Sequence, residues 1–141
     1  MVAVESTPEM VAGVYATLAK NQAIVRRRLG RSLTLADKVL LGHLADPESQ
    51  EFVPGQSQLA LRPDRVALQD VLGQTVMLNF SQTRRASTAV PTTVHCDHLI
   101  QARVDGAPDL LESVAENDEV YSYLRSASAK FGAGFWGPGA G

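Results

Sequence analysis

His95-Cys96-Asp97-His98 packs two imidazoles, a thiol and a carboxylate into four consecutive positions, the densest set of reactive side chains in the sequence. Three readings fit those residue types. An adjacent carboxylate and imidazole, Asp97 and His98, form an orienting pair in which the carboxylate fixes the ring tautomer and raises its basicity for general acid–base work. His95, Cys96 and His98 alternatively ligate zinc, but a closed site needs a further donor, and the third histidine, His43, falls in a helical pattern. The third reading is a strand end that is merely capped and solvated. Elsewhere, Gln69 follows Arg62-Pro63-Asp64-Arg65, whose charges suit an ion-pair group at a helix start as well as an anion site. Arg26-Arg27-Arg28 reads as the solvated outer face of a helix.

The elements that must position these groups follow from periodicity and punctuation. Thr7-Pro8-Glu9 is a helix start, and apolar residues from Met10 to Val25 recur at helical spacing, so a helix is expected from about residue 8 to Leu29, stopped by Gly30. Thr34 with Asp37 three residues later is a second start, for a short helix through Leu44. Residues 47–58 read as a loop into a short strand, Leu59-Ala60-Leu61. Asp64 is the expected cap of a helix running from Val66 to Leu78, with Gly73 in its interior. Ala89 to Val94 is β-branched and apolar, which suits a buried strand delivering the His95–His98 cluster at its carboxyl end, where open α/β sheets place their sites. After the turn Asp105-Gly106-Ala107-Pro108, one long helix is expected to end near Lys130.

Strands separated by helices indicate an α/β domain with a largely parallel sheet flanked by helices. It is read as an N-terminal helix, residues 1–30, followed by a partial α/β domain, residues 31–141, incomplete at its C-terminus. The tail Phe131-Gly132-Ala133-Gly134-Phe135-Trp136-Gly137-Pro138-Gly139-Ala140-Gly141 sets large apolar side chains among glycines. Such a backbone does not hold itself in place, so this tail is expected to be poorly protected and to look cut rather than finished.

Composition narrows the function classes. With 141 residues, 45% apolar and 20% charged, one globular, soluble domain is the expectation. Thirteen Lys and Arg against fifteen Asp and Glu give a net charge of −2, which argues against nucleic acid as a partner. No apolar run approaches the roughly 18–20 residues that span a bilayer, so no membrane partner is expected. Glu5 and Glu9 precede the first arginine, Arg26, unlike a secretory signal or an Arg-rich presequence, so a cytoplasmic, bacterial location is expected. The single cysteine, Cys96, excludes a disulfide framework and any cysteine-only zinc or iron–sulfur site built from this chain alone.

Three blocks carry a resemblance beyond residue types: Leu61-Arg62-Pro63-Asp64-Arg65-Val66-Ala67-Leu68-Gln69-Asp70, then Ala89-Val90-Pro91-Thr92-Thr93-Val94-His95-Cys96-Asp97-His98-Leu99-Ile100, then Ala129-Lys130-Phe131-Gly132-Ala133-Gly134-Phe135-Trp136-Gly137-Pro138-Gly139. Together they resemble the N-terminal domain of the aconitase family, in its mitochondrial-type branch, and residues 28–44 look like the same family's entry region. Aconitases interconvert citrate and isocitrate through cis-aconitate at a [4Fe–4S] cluster. The resemblance implies that Gln69 binds a substrate carboxylate, that Asp97 and His98 are the acid–base pair protonating the departing hydroxyl, and that His95 and Cys96 are not cluster ligands.

It further implies that the cluster cysteines and the serine base lie further along a longer chain. These 141 residues alone are therefore expected to be inactive and to carry no cluster. The expected partner is a tricarboxylate, citrate, isocitrate or cis-aconitate, once the remaining domains complete the site. The alternative is a stand-alone, non-enzymatic aconitase-like binding or interaction module.

Overall fold

A computed structural model of the chain describes residues 4–140, which fall into two compact units, one of residues 6–64 and the other of residues 65–140 together with 4–5. The first unit is built from α1 (Pro8–Leu29) and α2 (Leu35–Gly42). Thr7 caps α1 by accepting from the Met10 amide, and Gly30 ends it at φ 64°, a left-handed conformation that glycine adopts without a Cβ penalty. Thr34 and Asp37 form a reciprocal capping box on α2. Arg31 adds a bidentate contact to Asp37, and this hydrogen-bonded ion pair holds the Asp37 carboxyl well below the usual carboxylate range.

Val25, Leu33, Leu41 and Leu44 make the core of this unit, with Leu29, Phe52 and Leu59 packed against it. The expected Leu59–Leu61 strand is reduced to one antiparallel bridge, Leu44 to Leu61, because that segment pairs with the chain just after α2 instead of joining a sheet. Arg28 is more than a solvated charge. Its guanidinium donates to the Pro47 and Gln50 carbonyls and lies 4.4 Å over the Phe52 ring, which ties the loop to α1.

The second unit is α/β: β1 (Val66–Gln69), α3 (Asp70–Gln82), β2 (Thr92–His95), α4 (Gly106–Glu116), α5 (Asp118–Phe131) and β3 (Gly134–Trp136). Its three strands are all parallel, in the order β1-β2-β3, with Gln69 opposite His95 and His95 opposite Trp136. Helices α3 and α5 pack on one another and on the strands around Met77, Val94, Tyr121, Leu124 and Phe131.

Three expectations change here. Val66–Gln69 is a strand, not the start of a helix. A short apolar run has no decisive periodicity, and its pairing along β2 outweighs the Asp64 cap. Gly73 lies in α3, where an added Cβ would meet Leu68, Val94 and Leu124 at 3.6 Å or more, an ordinary contact, so the packing there does not require glycine. The expected helix from Leu110 to Lys130 is two helices, because Asn117 (φ −116°, ψ 22°) leaves the helical conformation, and its amide and side chain both donate to the Ser113 carbonyl.

The glycine-rich tail is also ordered. Gly132 (φ 75°) ends α5, the chain reverses, and Gly134–Trp136 pairs with β2. Sheet hydrogen bonds supply the restraint that glycine backbone lacks. Gly141, the last residue of that tail, lies outside the described residues.

Backbone amides paired in β2 and at the Trp136–Cys96 bond should therefore exchange slowly in hydrogen–deuterium exchange, and fast exchange throughout Phe131–Trp136 would overturn the β3 assignment. Leu124, fully buried between these elements, should cost about 2–5 kcal/mol when replaced by alanine, read from a urea melt.

Candidate functional site

The parallel strands bring the carboxyl ends of β1, β2 and β3 side by side, at Gln69, His95 and Trp136. That is the end of a parallel sheet where side chains beyond the strands converge. Gln69 is the N-cap of α3, its Oε1 accepting from the Val71 and Leu72 amides. Because those backbone donors demand an acceptor, the orientation of the amide is fixed, and Nε2 is left as a donor on a half-buried residue.

Just past β2, His98 Nδ1 lies 2.7 Å from Asp97 Oδ1. Both side chains are mostly exposed, at 54% for His98 and 69% for Asp97. Asp70, the first residue of α3, is fully buried, and its Oδ1 lies 3.8 Å from the same His98 Nδ1. Sequence reasoning missed Asp70 as a site residue. Nothing in its spacing signals it, since only the β1–β2 register carries the start of α3 to the end of β2.

The segment carrying His98 is fixed by backbone. Asp70 Oδ2 accepts from the Leu99 amide at 3.3 Å, while the Leu99 carbonyl accepts from Ser113 Oγ at 2.9 Å. Ser113 Oγ also lies 2.7 Å from the Tyr121 hydroxyl. Leu99 is thus held on both polar groups by buried side chains from α3 and α4, which leaves His98 little backbone freedom.

The other two members of the tetrad play different parts. His95 stacks on Trp136 with ring centroids 5.2 Å apart, and its Nε2 lies 2.9 Å from Thr93 Oγ1, so it is engaged with its own strand and with β3. Cys96 is buried, and burial above all, with the nearby Asp70 and Asp97 carboxylates adding to it, pushes its thiol up to about 11. It is a protonated thiol at neutral pH and a poor nucleophile. His95, Cys96 and His98 do not bring their ligand atoms together among the described residues, so the zinc reading is not supported. His43 is the C-cap of α2 with Nδ1 2.6 Å from the Val39 carbonyl, and it belongs to the other unit.

Asp70, Asp97 and His98 do offer ligand atoms within 4.8 Å of one another. With Nδ1 already hydrogen-bonded to Asp97, this is the geometry of an oriented imidazole. A cleft of about 260 Å³ opens beside the pair, lined by His95, Asp97, Ile100, Trp136 and Gly137. It is smaller than the roughly 300–1,000 Å³ of complete small-molecule pockets. A larger cavity, about 520 Å³, belongs to the first unit, along α1. Polar groups, not volume, mark the candidate site.

Alkylation of Cys96 near pH 7.5 should run about 100-fold slower in the folded chain than in urea, because the raised thiol leaves little thiolate. The folded thiol keeps its proton between about pH 9 and 11 while the unfolded one loses it. The folded state thus binds more protons in that window, and stability falls as pH rises through it. Denaturant melts at both pH values should show a smaller loss for Cys96→Ala than for the parent.

A family model described as the aconitase family (aconitate hydratase) matches residues 37–141. "Aconitate hydratase, mitochondrial" of Aspergillus fumigatus is 54% identical over 127 residues, 90% of this chain and 16% of that protein. The protein of the same name from Saccharomyces cerevisiae is 52% identical over 118 residues, 84% of this chain and 15% of its own length. "Probable aconitate hydratase, mitochondrial" of Caenorhabditis elegans is 49% identical over 127 residues. This chain thus spans about 16% of the length of such relatives. Their names also correct the cytoplasmic expectation, since these relatives are named as mitochondrial proteins. With the family model covering most of its length and half of its residues identical to those relatives, the chain belongs to the aconitase family.

Proposed function

We propose that this chain supplies the N-terminal part of a mitochondrial aconitate hydratase, which interconverts citrate and isocitrate by removing and re-adding water. The observation that carries the reading is the 2.7 Å Asp97–His98 pair at the carboxyl end of β2, next to the capped amide of Gln69, in a member of this family. Gln69 donates from Nε2 to a substrate carboxylate. His98, protonated and oriented by Asp97, gives its proton to the substrate hydroxyl as the C–O bond breaks, so that the group leaves as water. In the reverse direction the imidazole takes that proton back from the incoming water.

The resemblance implies a [4Fe–4S] cluster in the complete enzyme, but the residues of this chain do not fit one. Clusters of that type are held by cysteine thiolates. Here there is one cysteine, buried, and a thiol rather than a thiolate at neutral pH. Cluster ligands must therefore come from outside these 141 residues, and the chain by itself is proposed to be inactive.

A chimera in which these residues replace the matching segment of the Aspergillus fumigatus enzyme tests the reading. It should form cis-aconitate from citrate, and His98→Gln should lower kcat by about 10²–10⁴-fold. Gln69→Glu keeps a capping oxygen for α3 but replaces the Nε2 donor with a negative charge, so it should raise KM with the fold intact. A well-folded chimera that loads its cluster but is inactive, or a His98→Gln variant of full activity, would refute it.

A further inference from the structure

Asp70 is a fully buried carboxylate that none of the roles above uses. Removing such a charge from water is costly unless the surroundings compensate for it. Compensation is visible for one side only: Asp70 sits in the first turn of α3, where the helix N-terminus favours negative charge, and its Oδ2 accepts from the Leu99 amide. Oδ1 accepts no hydrogen bond among the described residues, and the group facing it is His98 Nδ1, at 3.8 Å.

We infer that Asp70 is a positioning residue for His98, an acceptor built into the fold that holds the ring hydrogen on Nδ1 and so reserves Nε2 for exchanging a proton with substrate. The inference rests on the proton-donor role proposed for His98 and adds which nitrogen performs it. Two carboxylates, Asp97 Oδ1 at 2.7 Å and Asp70 Oδ1 at 3.8 Å, face the same nitrogen. An ionised carboxylate only accepts, so Nδ1 must be the donor.

The two partners differ in rigidity. Asp97 is 69% exposed, and a bond between two exposed side chains is easily exchanged for water. Asp70 is fixed in the first turn of α3 and by its bond to Leu99, the residue after His98. When Asp97 swings away, the Asp70 carboxylate remains, and the tautomer with it.

The test is the ring spectrum of His98 in the 15N-labelled 141-residue chain, read by long-range proton–nitrogen correlation at about pH 9, above the ordinary histidine range. His98→Gln identifies the signals among the three histidines, and His43, bonded to the Val39 carbonyl, is an internal reference. In Asp97→Ala, which leaves no acceptor at position 97, Nδ1 should keep its pyrrole-type shift, because Asp70 still accepts. In Asp70→Asn, the Leu99 amide claims the new side-chain oxygen, the NH2 group turns toward Nδ1 donor to donor, and the Nδ1 signal should move toward the pyridine-type position.

A pyridine-type shift in Asp97→Ala, or a parent-like ring in folded Asp70→Asn, would assign the tautomer to Asp97 alone and overturn the inference. If Asp70→Asn fails to fold, seen as lost amide dispersion, Asp97→Ala decides by itself. Because the ring is read without turnover, failure here is separate from failure of the proposed activity, which the chimera reads.

Discussion

Everything in the candidate site hangs from β2. It is the one strand paired on both edges, with β1 from Val66 to Gln69 and with β3 from Gly134 to Trp136. Parallel pairing runs all three strands in one direction, so the residues that follow them emerge at the same end of the sheet. The chain leaves β2 with one more bond, from the Cys96 amide to the Trp136 carbonyl, before entering Asp97-His98. Removing β3 would free that bond and the stacking partner of His95 together. The glycine-rich tail is therefore structural support for the Asp97–His98 pair, although it contributes no reactive group to it.

A second layer of restraint comes from buried polar groups. Asp70 from α3 and Ser113 from α4 hold the amide and the carbonyl of Leu99, and Tyr121 from α5 bonds to Ser113 Oγ. A hydrophobic core alone would hold this segment loosely, because apolar packing is indifferent to rotation of a peptide plane. Directional bonds to both the amide and the carbonyl of one residue are not. The cost is a carboxylate kept out of water, and its field reaches the neighbours. Burial and the Asp70 charge both push the Tyr121 hydroxyl and the Cys96 thiol up, which keeps both groups protonated beside the site.

Local signals were legible wherever a side chain announces its own backbone. Thr7-Pro8, the Thr34/Asp37 box and Gly30 each satisfy or terminate a helix within a few residues, so sequence alone suffices to locate α1 and α2. The Asp97–His98 pair was legible for the same reason, being adjacent. Three things were not. Val66–Gln69 is too short to show a period, and only its partner strand decides its conformation. The α4–α5 break rests on one residue, Asn117, that a helical apolar pattern runs straight through. Asp70 belongs to the site only because Gln69 pairs with His95, a long-range register that no spacing encodes.

Gln69 caps a helix and, in the proposed site, offers a donor with the same side chain. Its side chain has one acceptor and one donor group, and α3 consumes the acceptor. A serine or aspartate in its place would cap the helix as well but would leave no fixed N–H donor for a carboxylate. A glutamine free of the cap would present either end to solvent. Helix capping therefore selects the donating orientation, and it does so at the strand end opposite His95, two residues before the acid–base pair begins. An anionic substrate approaching this end of the sheet meets a neutral, oriented donor on one strand and an oriented imidazole beyond the next. The polarity suits binding a carboxylate while protonating a neighbouring hydroxyl.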